Sequence, residues 1–305
     1  MTEPLTGLIA APYSPLDASG DLALGVVEKQ YEHLKGTGVR GVFVCGTTGE
    51  GLALTTDERL ALAARWFDVA DDDFVVLVHV GHTSARDSVA LIEAAAARGA
   101  RGVGTLPPIY HKPATVDALV SYCAGLASAA PGVPFYYYHI PGLSGVTLPM
   151  RAFLERGKER IPNLGGVKFT FEDLRDYQMC LELDGGRYDV LFGRDEMLLA
   201  GLALGAKGAI GSTYNYAAPL YVRLWDAFRR GDMDEARACQ RRSQQMIETL
   251  ARYGGVLSAG KALMGLIGVD CGPCRPPLPT PTEKQARALK ADLERIGYFE
   301  WSRGA

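Results

Sequence analysis

The chain has 305 residues, 48% of them hydrophobic and 22% charged, with a formal net charge of −3. That length buries a substantial core, and the near balance of charge leaves no basic footprint for nucleic acid or an acidic membrane surface. The opening MTEPLTGLIAAPYSPL lacks a basic segment followed by an apolar one, and no apolar run approaches the roughly 18 residues that span a bilayer, so a soluble, cytoplasmic protein is expected.

Short β-branched and aromatic runs recur along the first two-thirds of the chain: Leu8–Ala11, Gly41–Cys45, Phe74–His79, Gly102–Leu106, Val133–His139, Leu164–Phe169, Asp189–Phe192 and Lys207–Gly211. Between them lie segments of helical periodicity, such as Val26, Gln30, Tyr31 and Leu34, or Ala90, Leu91, Ala94 and Ala95. Eight strand–helix alternations predict a parallel sheet closed as an α/β (β/α)8 TIM barrel. A doubly wound sheet would carry a glycine-rich phosphate loop at its first turn, and Gly46-Thr-Thr-Gly49-Glu-Gly51 has its glycines in the wrong order for one. After Gly211 the strand signals stop, and Ala217–Arg230, Met233–Arg252, Ala259–Gly268 and Thr282–Ile296 read as helices. Pro219 then falls in a first helical turn, where a missing N–H costs little. The expected division is a barrel over residues 1–215 and a C-terminal helical extension over 216–305, with a packing role for the extension.

Six cysteines (Cys45, Cys123, Cys180, Cys239, Cys271 and Cys274) are scattered, as buried thiols in a reducing compartment would be. Cys271 and Cys274 form a C-x-x-C with no second pair and no thioredoxin-like context, so metal or redox use is not expected of them. The five histidines form no ligand cluster, which favours a mechanism without metal or cofactor.

In such a barrel the reactive side chains lie at the C-terminal ends of the strands. Lys168 ends the apolar strand Leu164-Gly-Gly-Val-Lys-Phe; facing the barrel it would lose hydration, which favours the uncharged amine that attack on a ketone requires. The alternative is a lysine that reaches solvent or pairs with a carboxylate. On the fifth strand, alternation puts Tyr136 and Tyr138 on one face and Tyr137 and His139 on the other. Tyr138 is the candidate acid/base, against a plain core role, and His139 is expected to be a structural, hydrogen-bonded histidine. Thr47 and Thr48 end the second strand among glycines, where hydroxyls and backbone N–H groups could hold a carboxylate or simply cap a turn. Asp195 and Glu196 could accept hydrogen bonds from sugar hydroxyls or serve a helix dipole, and Gly211-Ser212-Thr213 is small and polar at the same rim.

Taken together these motifs resemble the superfamily of class I aldolases that contains the N-acetylneuraminate lyases and dihydrodipicolinate synthases. The resemblance is carried, in order, by Gly41–Glu50, Tyr136–Pro141, Gly166–Thr170, Gly193–Glu196 and Gly208–Thr213, and runs from residue 5 to the C-terminal helices. It implies that Lys168 forms a Schiff base to a 2-keto acid, that Tyr138 transfers protons, and that Thr47 and Thr48 hold the keto acid's carboxylate. It further implies that Thr47 links Tyr138 to Tyr110 of an adjacent subunit in a homotetramer, a dimer of dimers, although Ile109 replaces a frequent aromatic. Leu143 stands where a dihydrodipicolinate synthase would have an arginine, whereas Tyr138–Gly145 is similar to the sialic acid lyase pattern, with Gly142 replacing a frequent alanine. By the same similarity Thr170, Gly193, Asp195, Glu196, Gly211 and Ser212 contact the substrate's hydroxylated tail. The implied reaction is retro-aldol cleavage of N-acetylneuraminate to N-acetylmannosamine and pyruvate without metal or cofactor. A same-family aldolase or dehydratase acting on another 2-keto-3-deoxy sugar acid, or a catalytically silent sugar-acid-binding barrel, are the rivals.

Overall fold

The computed structural model describes residues 3–302. Eight strands, β1 (Gly7–Ala10), β2 (Val39–Val44), β3 (Val75–His79), β4 (Gly102–Thr105), β5 (Phe135–His139), β6 (Leu164–Phe169), β7 (Asp189–Phe192) and β8 (Gly208–Gly211), pair in parallel and in chain order. β8 returns to β1 and closes the barrel. The helices outside it are α1 (Val26–Lys35), α2 (Thr56–Val69), α3 (Ala85–Ala97), α4 (Val116–Ala127), a short α5 (Pro141–Ser144), α6 (Met150–Arg160), α7 (Leu174–Glu182) and α8 (Leu198–Ala203). The (β/α)8 architecture expected from the alternation is therefore present.

Period-2 alternation sorts the strand side chains into two apolar layers. Ile9, Phe43, Leu77, Tyr136, Tyr138, Leu191 and Ile210 point inward and fill the barrel. Val42, Val44, Val76, Val78, Phe135, Tyr137, Val167, Phe169, Val190 and Phe192 point outward against the helices. Burying a ring such as Phe43 contributes ~2 kcal/mol relative to exposing it. β4 makes room for the aromatics. A Cβ on Gly102 would lie 2.6 Å from the Tyr136 ring, and one on Gly104 would lie 2.9 Å from the Phe43 ring.

Helices α9 (Tyr214–Arg229), α10 (Met233–Ala251), α11 (Gly255–Leu266), α12 (Glu283–Arg295) and α13 (Tyr298–Trp301) follow the barrel. The sequence starts the first of these at Ala217, but α9 begins three residues earlier and breaks at Ala217, where φ is −137°. The break at Ala217 divides the segment, so Pro219 falls in the first turn of the regular helix that follows, as the sequence predicts. The carbonyl it cannot pair with, that of Asn215, instead lies 2.9 Å from His33 Nε2, so no backbone acceptor is stranded. Among the described residues no helix is long and apolar enough to cross a membrane.

Candidate active site

Lys168 and Tyr138 are neighbours because the β5–β6 register pairs them directly. Both point into the barrel, with exposures of 5% and 3%. The Lys168 Nζ lies 4.0 Å from the centre of the Tyr138 ring and 4.6 Å from that of Phe43, so two aromatic faces rather than a carboxylate surround it. The Tyr138 ring is fixed edge-on against Phe43 at 5.9 Å and His79 at 6.1 Å. Its Oη reaches to 3.3 Å from Thr47 Oγ1. Thr48 is buried, and its Oγ1 lies 2.6 Å from Ser212 Oγ. The loop after β2 is thus tied to β5 through one threonine and to the end of β8 through the other.

A second polar wall rises from β6, β7 and β8. Thr170 Oγ1 is buried without a protein partner, and a Cβ on Gly193 would fall 2.0 Å from it. Asp195 is 5% exposed; its Oδ2 accepts from the Thr213 N–H at 2.9 Å and the Thr213 hydroxyl at 2.7 Å. Its Oδ1 has no partner and would lie 1.9 Å from a Cβ on Gly211. Burial pushes the Asp195 carboxyl up to about 6, against the opposing pull of the Thr213 hydrogen bonds. Glu196 is half-buried and paired with Arg194 at 3.2 Å, and Arg194 also contacts Glu172. Thr170 Oγ1 and Asp195 Oδ1 are thus buried, unpartnered polar atoms packed against the glycines at the ends of β7 and β8.

Of the residues singled out from sequence, Lys168 and Tyr138 pair inside the barrel, Thr47 meets Tyr138, Thr48 meets Ser212, and Thr170 with Gly193 and Asp195 with Gly211 lie against each other at the ends of β6, β7 and β8. Leu143, 66% exposed on α5, stands at the rim of a cavity of about 220 Å³ that also includes Thr47, His79, Ile109 and Ile140. Tyr110 is not brought into this chain's site. It is 85% exposed and stacks edge-on with His111.

Three features went unread in the sequence. His79, at the end of β3, is buried with Nε2 unpartnered, and Arg59 NH2 lies 3.4 Å from its Nδ1. Burial, then the charges of Arg59 and Lys168, hold it well below the usual imidazole range, so it is a neutral ring beside the lysine. Its place at a strand end was the available signal. His139 faces the outer layer as alternation requires, but the hydrogen bond expected of it is missing. It packs against Phe169, Phe171 and Tyr137 with Nδ1 buried and unpartnered. The C-terminal helices do more than pack outside the barrel, since Leu257, Arg275 and the prolines after it line the mouth, and Lys261 reaches Glu50. Among the described residues no three His, Cys, Asp or Glu side chains converge as metal ligands.

The model of the dihydrodipicolinate synthetase family matches residues 4–296. An N-acetylneuraminate lyase of Rattus norvegicus is 37% identical over 97% of this chain and 94% of its own length. The solved N-acetylneuraminate lyase (sialic acid aldolase) of Aliivibrio salmonicida is 41% identical, with a TM-score of 0.94 over 97% of this chain and 98% of that one. The Proteus mirabilis N-acetylneuraminate lyase gives 40% identity and a TM-score of 0.94 over 97% and 100%.

Proposed function

Because this chain belongs to the dihydrodipicolinate synthetase family, we propose that it is a class I aldolase cleaving N-acetylneuraminate to N-acetylmannosamine and pyruvate. The observation that carries the reading is the register pair of Lys168 and Tyr138, both inside the barrel, with the tyrosine hydroxyl against Thr47. The Lys168 amine condenses with the C2 ketone of the open-chain sugar acid and releases water. The resulting iminium draws electrons from the C3–C4 bond as it breaks. Tyr138, assisted by the substrate carboxylate, takes the C4 hydroxyl proton, so C4 leaves as the aldehyde of N-acetylmannosamine. The enamine is protonated at C3 and water releases pyruvate from Lys168.

Thr47 and Thr48 hold the carboxylate, while Thr170, Gly193, Asp195, Glu196, Gly211 and Ser212 meet the hydroxylated tail. Leu143 offers no second cation, which disfavours a substrate with two carboxylates. Tyr110, Ile109, Leu143 and Leu52 are all exposed, and this supports a homotetramer in which a neighbour's Tyr110 completes the mouth. Six unpaired, buried cysteines suit a cytoplasmic protein.

Reduction with borohydride in the presence of pyruvate is expected to add a propionate-bearing mass to the peptide containing Lys168, and Lys168→Ala is expected to abolish both adduct and turnover. A chain that turns over without that adduct overturns the mechanism, and a silent sugar-acid binder gives neither. N-acetylneuraminate is then compared with 2-keto-3-deoxygluconate and related acids; preferential cleavage of another acid overturns the substrate assignment alone.

A further inference from the structure

The loop that carries Thr47 and Thr48 is held in a tight fold between two non-glycine residues of left-handed backbone, Cys45 at φ 59° and Glu50 at φ 52°. Side chains rarely adopt this conformation, and it persists only where the surroundings impose it. The loop closes on itself through the Glu50 N–H to the Thr47 carbonyl at 3.0 Å and the Gly51 N–H to the Gly46 carbonyl at 3.1 Å. The fold is dense, for a Cβ on Gly51 would lie 1.8 Å from the Cys45 carbonyl oxygen.

What pins it comes from the far end of the chain. Lys261 on α11 donates to Glu50 Oε1 at 2.7 Å, and the backbone N–H of Arg275 donates to Glu50 Oε2 at 2.7 Å. Both oxygens of the carboxylate are therefore used. The side chains of Glu50 and Lys261 are 2% and 1% exposed, so the pair is closed off from water. Arg275 extends the brace: its guanidinium donates to the Ala53 and Gly20 carbonyls and pairs with Glu58 at the start of α2.

A wholly buried ion pair contributes little net stability compared with an apolar replacement, because desolvation offsets the Coulomb attraction. Its distinctive property is directional: a carboxylate with both oxygens engaged fixes a backbone that would otherwise relax. Glu50 is two residues from Thr48, and Thr48 meets Ser212 at 2.6 Å. We propose that Glu50 and Lys261 are positioning residues that hold Thr47 and Thr48 in the geometry that grips the substrate carboxylate, so that the C-terminal helices set keto-acid affinity. The inference rests on the aldolase reading above.

The test uses the full chain and three variants, Glu50→Gln, Lys261→Met and the double change. The readouts are thermal midpoint, kcat, KM for N-acetylneuraminate, and the pyruvate concentration that half-saturates borohydride trapping. The single variants are expected to raise KM and half-saturating pyruvate at least tenfold, with kcat within about threefold and trapping at saturation still complete. The double variant removes both buried charges together, so its thermal midpoint recovers toward wild type while half-saturating pyruvate stays raised. Half-saturation within twofold of wild type in the folded single variants overturns the proposal. So does a double variant in which affinity and thermal midpoint recover together, since that is the signature of stability alone. If Lys261→Met does not fold, Glu50→Gln and the double variant decide. Failure of the wild-type chain to trap pyruvate at all is a different result, and it removes the aldolase reading together with this inference.

Discussion

Replacing Tyr138 with Phe isolates one hydroxyl from a site that otherwise stays intact. The ring contacts to Phe43 and His79 and the face presented to Lys168 are all retained by phenylalanine. What is lost is one hydrogen bond of 3.3 Å to the partly exposed Thr47, long enough to place its contribution at the low end of about 0.5–1.5 kcal/mol. In a chain of this length that lowers the thermal midpoint by about 2 °C and leaves the folded population unchanged at assay temperature. The rate tells a different story. A positioned acid/base contributes about 10²–10⁴-fold, equivalent to about 3–5 kcal/mol of barrier, several times the stability effect. Steady-state cleavage of N-acetylneuraminate should therefore fall by at least about a hundredfold, while pyruvate trapping on Lys168 persists because the amine is untouched. A Tyr138→Phe protein that keeps more than a tenth of wild-type kcat would refute the role, as would one whose loss matches its unfolded fraction.

Asp195→Asn removes the charge from a buried carboxylate whose Oδ1 has no protein partner. Cleavage of N-acetylneuraminate should lose about 10–100-fold in kcat/KM, the worth of a hydrogen bond to a charged acceptor, while half-saturating pyruvate in the trapping assay stays put. Gly193→Ala places a methyl 2.0 Å from Thr170 Oγ1, and displacing that hydroxyl should cost about 1–3 kcal/mol and raise KM more than it lowers kcat, measured by melting and steady-state kinetics. His139 carries a pH signature, because burial holds it at about 4 against an ordinary 6.5. The unfolded chain then binds the extra proton between those values, so stability present above pH 6.5 is lost as pH falls toward 4, by about 3 kcal/mol. His139→Phe should remove that part of the acid sensitivity in urea titrations at pH 7 and 4.5, and an unchanged difference between the two pH values would show that the ring does not titrate as described.

The barrel was legible because its cause is local. Alternation of inward and outward side chains is written into each strand, and Tyr136, Tyr138 and Lys168 fall inward for the same reason that Phe135, Tyr137 and Phe169 fall outward. The candidate site residues Lys168, Tyr138, Thr47, Thr48 and Asp195 share this property: each stands near or just past its own strand's end, where barrel geometry decides what it faces. The sequence places the regular part of α9 after Ala217 but not the turn from Tyr214 that precedes it, whose Asn215 carbonyl is met by a side chain on α1. That compensation leaves no local trace.

Lys261 marks where such reading stops. Within its own segment it is the one charged residue on a mostly apolar helix, and nothing local names a partner for it. Its actual partner lies 211 positions away and is itself an acidic residue in a glycine-rich turn. Neither half predicts burial, because a lysine or a glutamate alone at these positions would be an uncompensated charge inside the protein. Only the closed barrel, by setting α11 over the loop after β2, makes the pair tolerable to both. The same reasoning explains Tyr110. Its 85% exposure leaves a large amphipathic ring in water on one chain, beside exposed Ile109, and a ring so placed acquires a role only against a surface that a single sequence does not supply. The residues proposed to do chemistry can thus be read one strand at a time, whereas those proposed to aim them require the assembled tertiary structure.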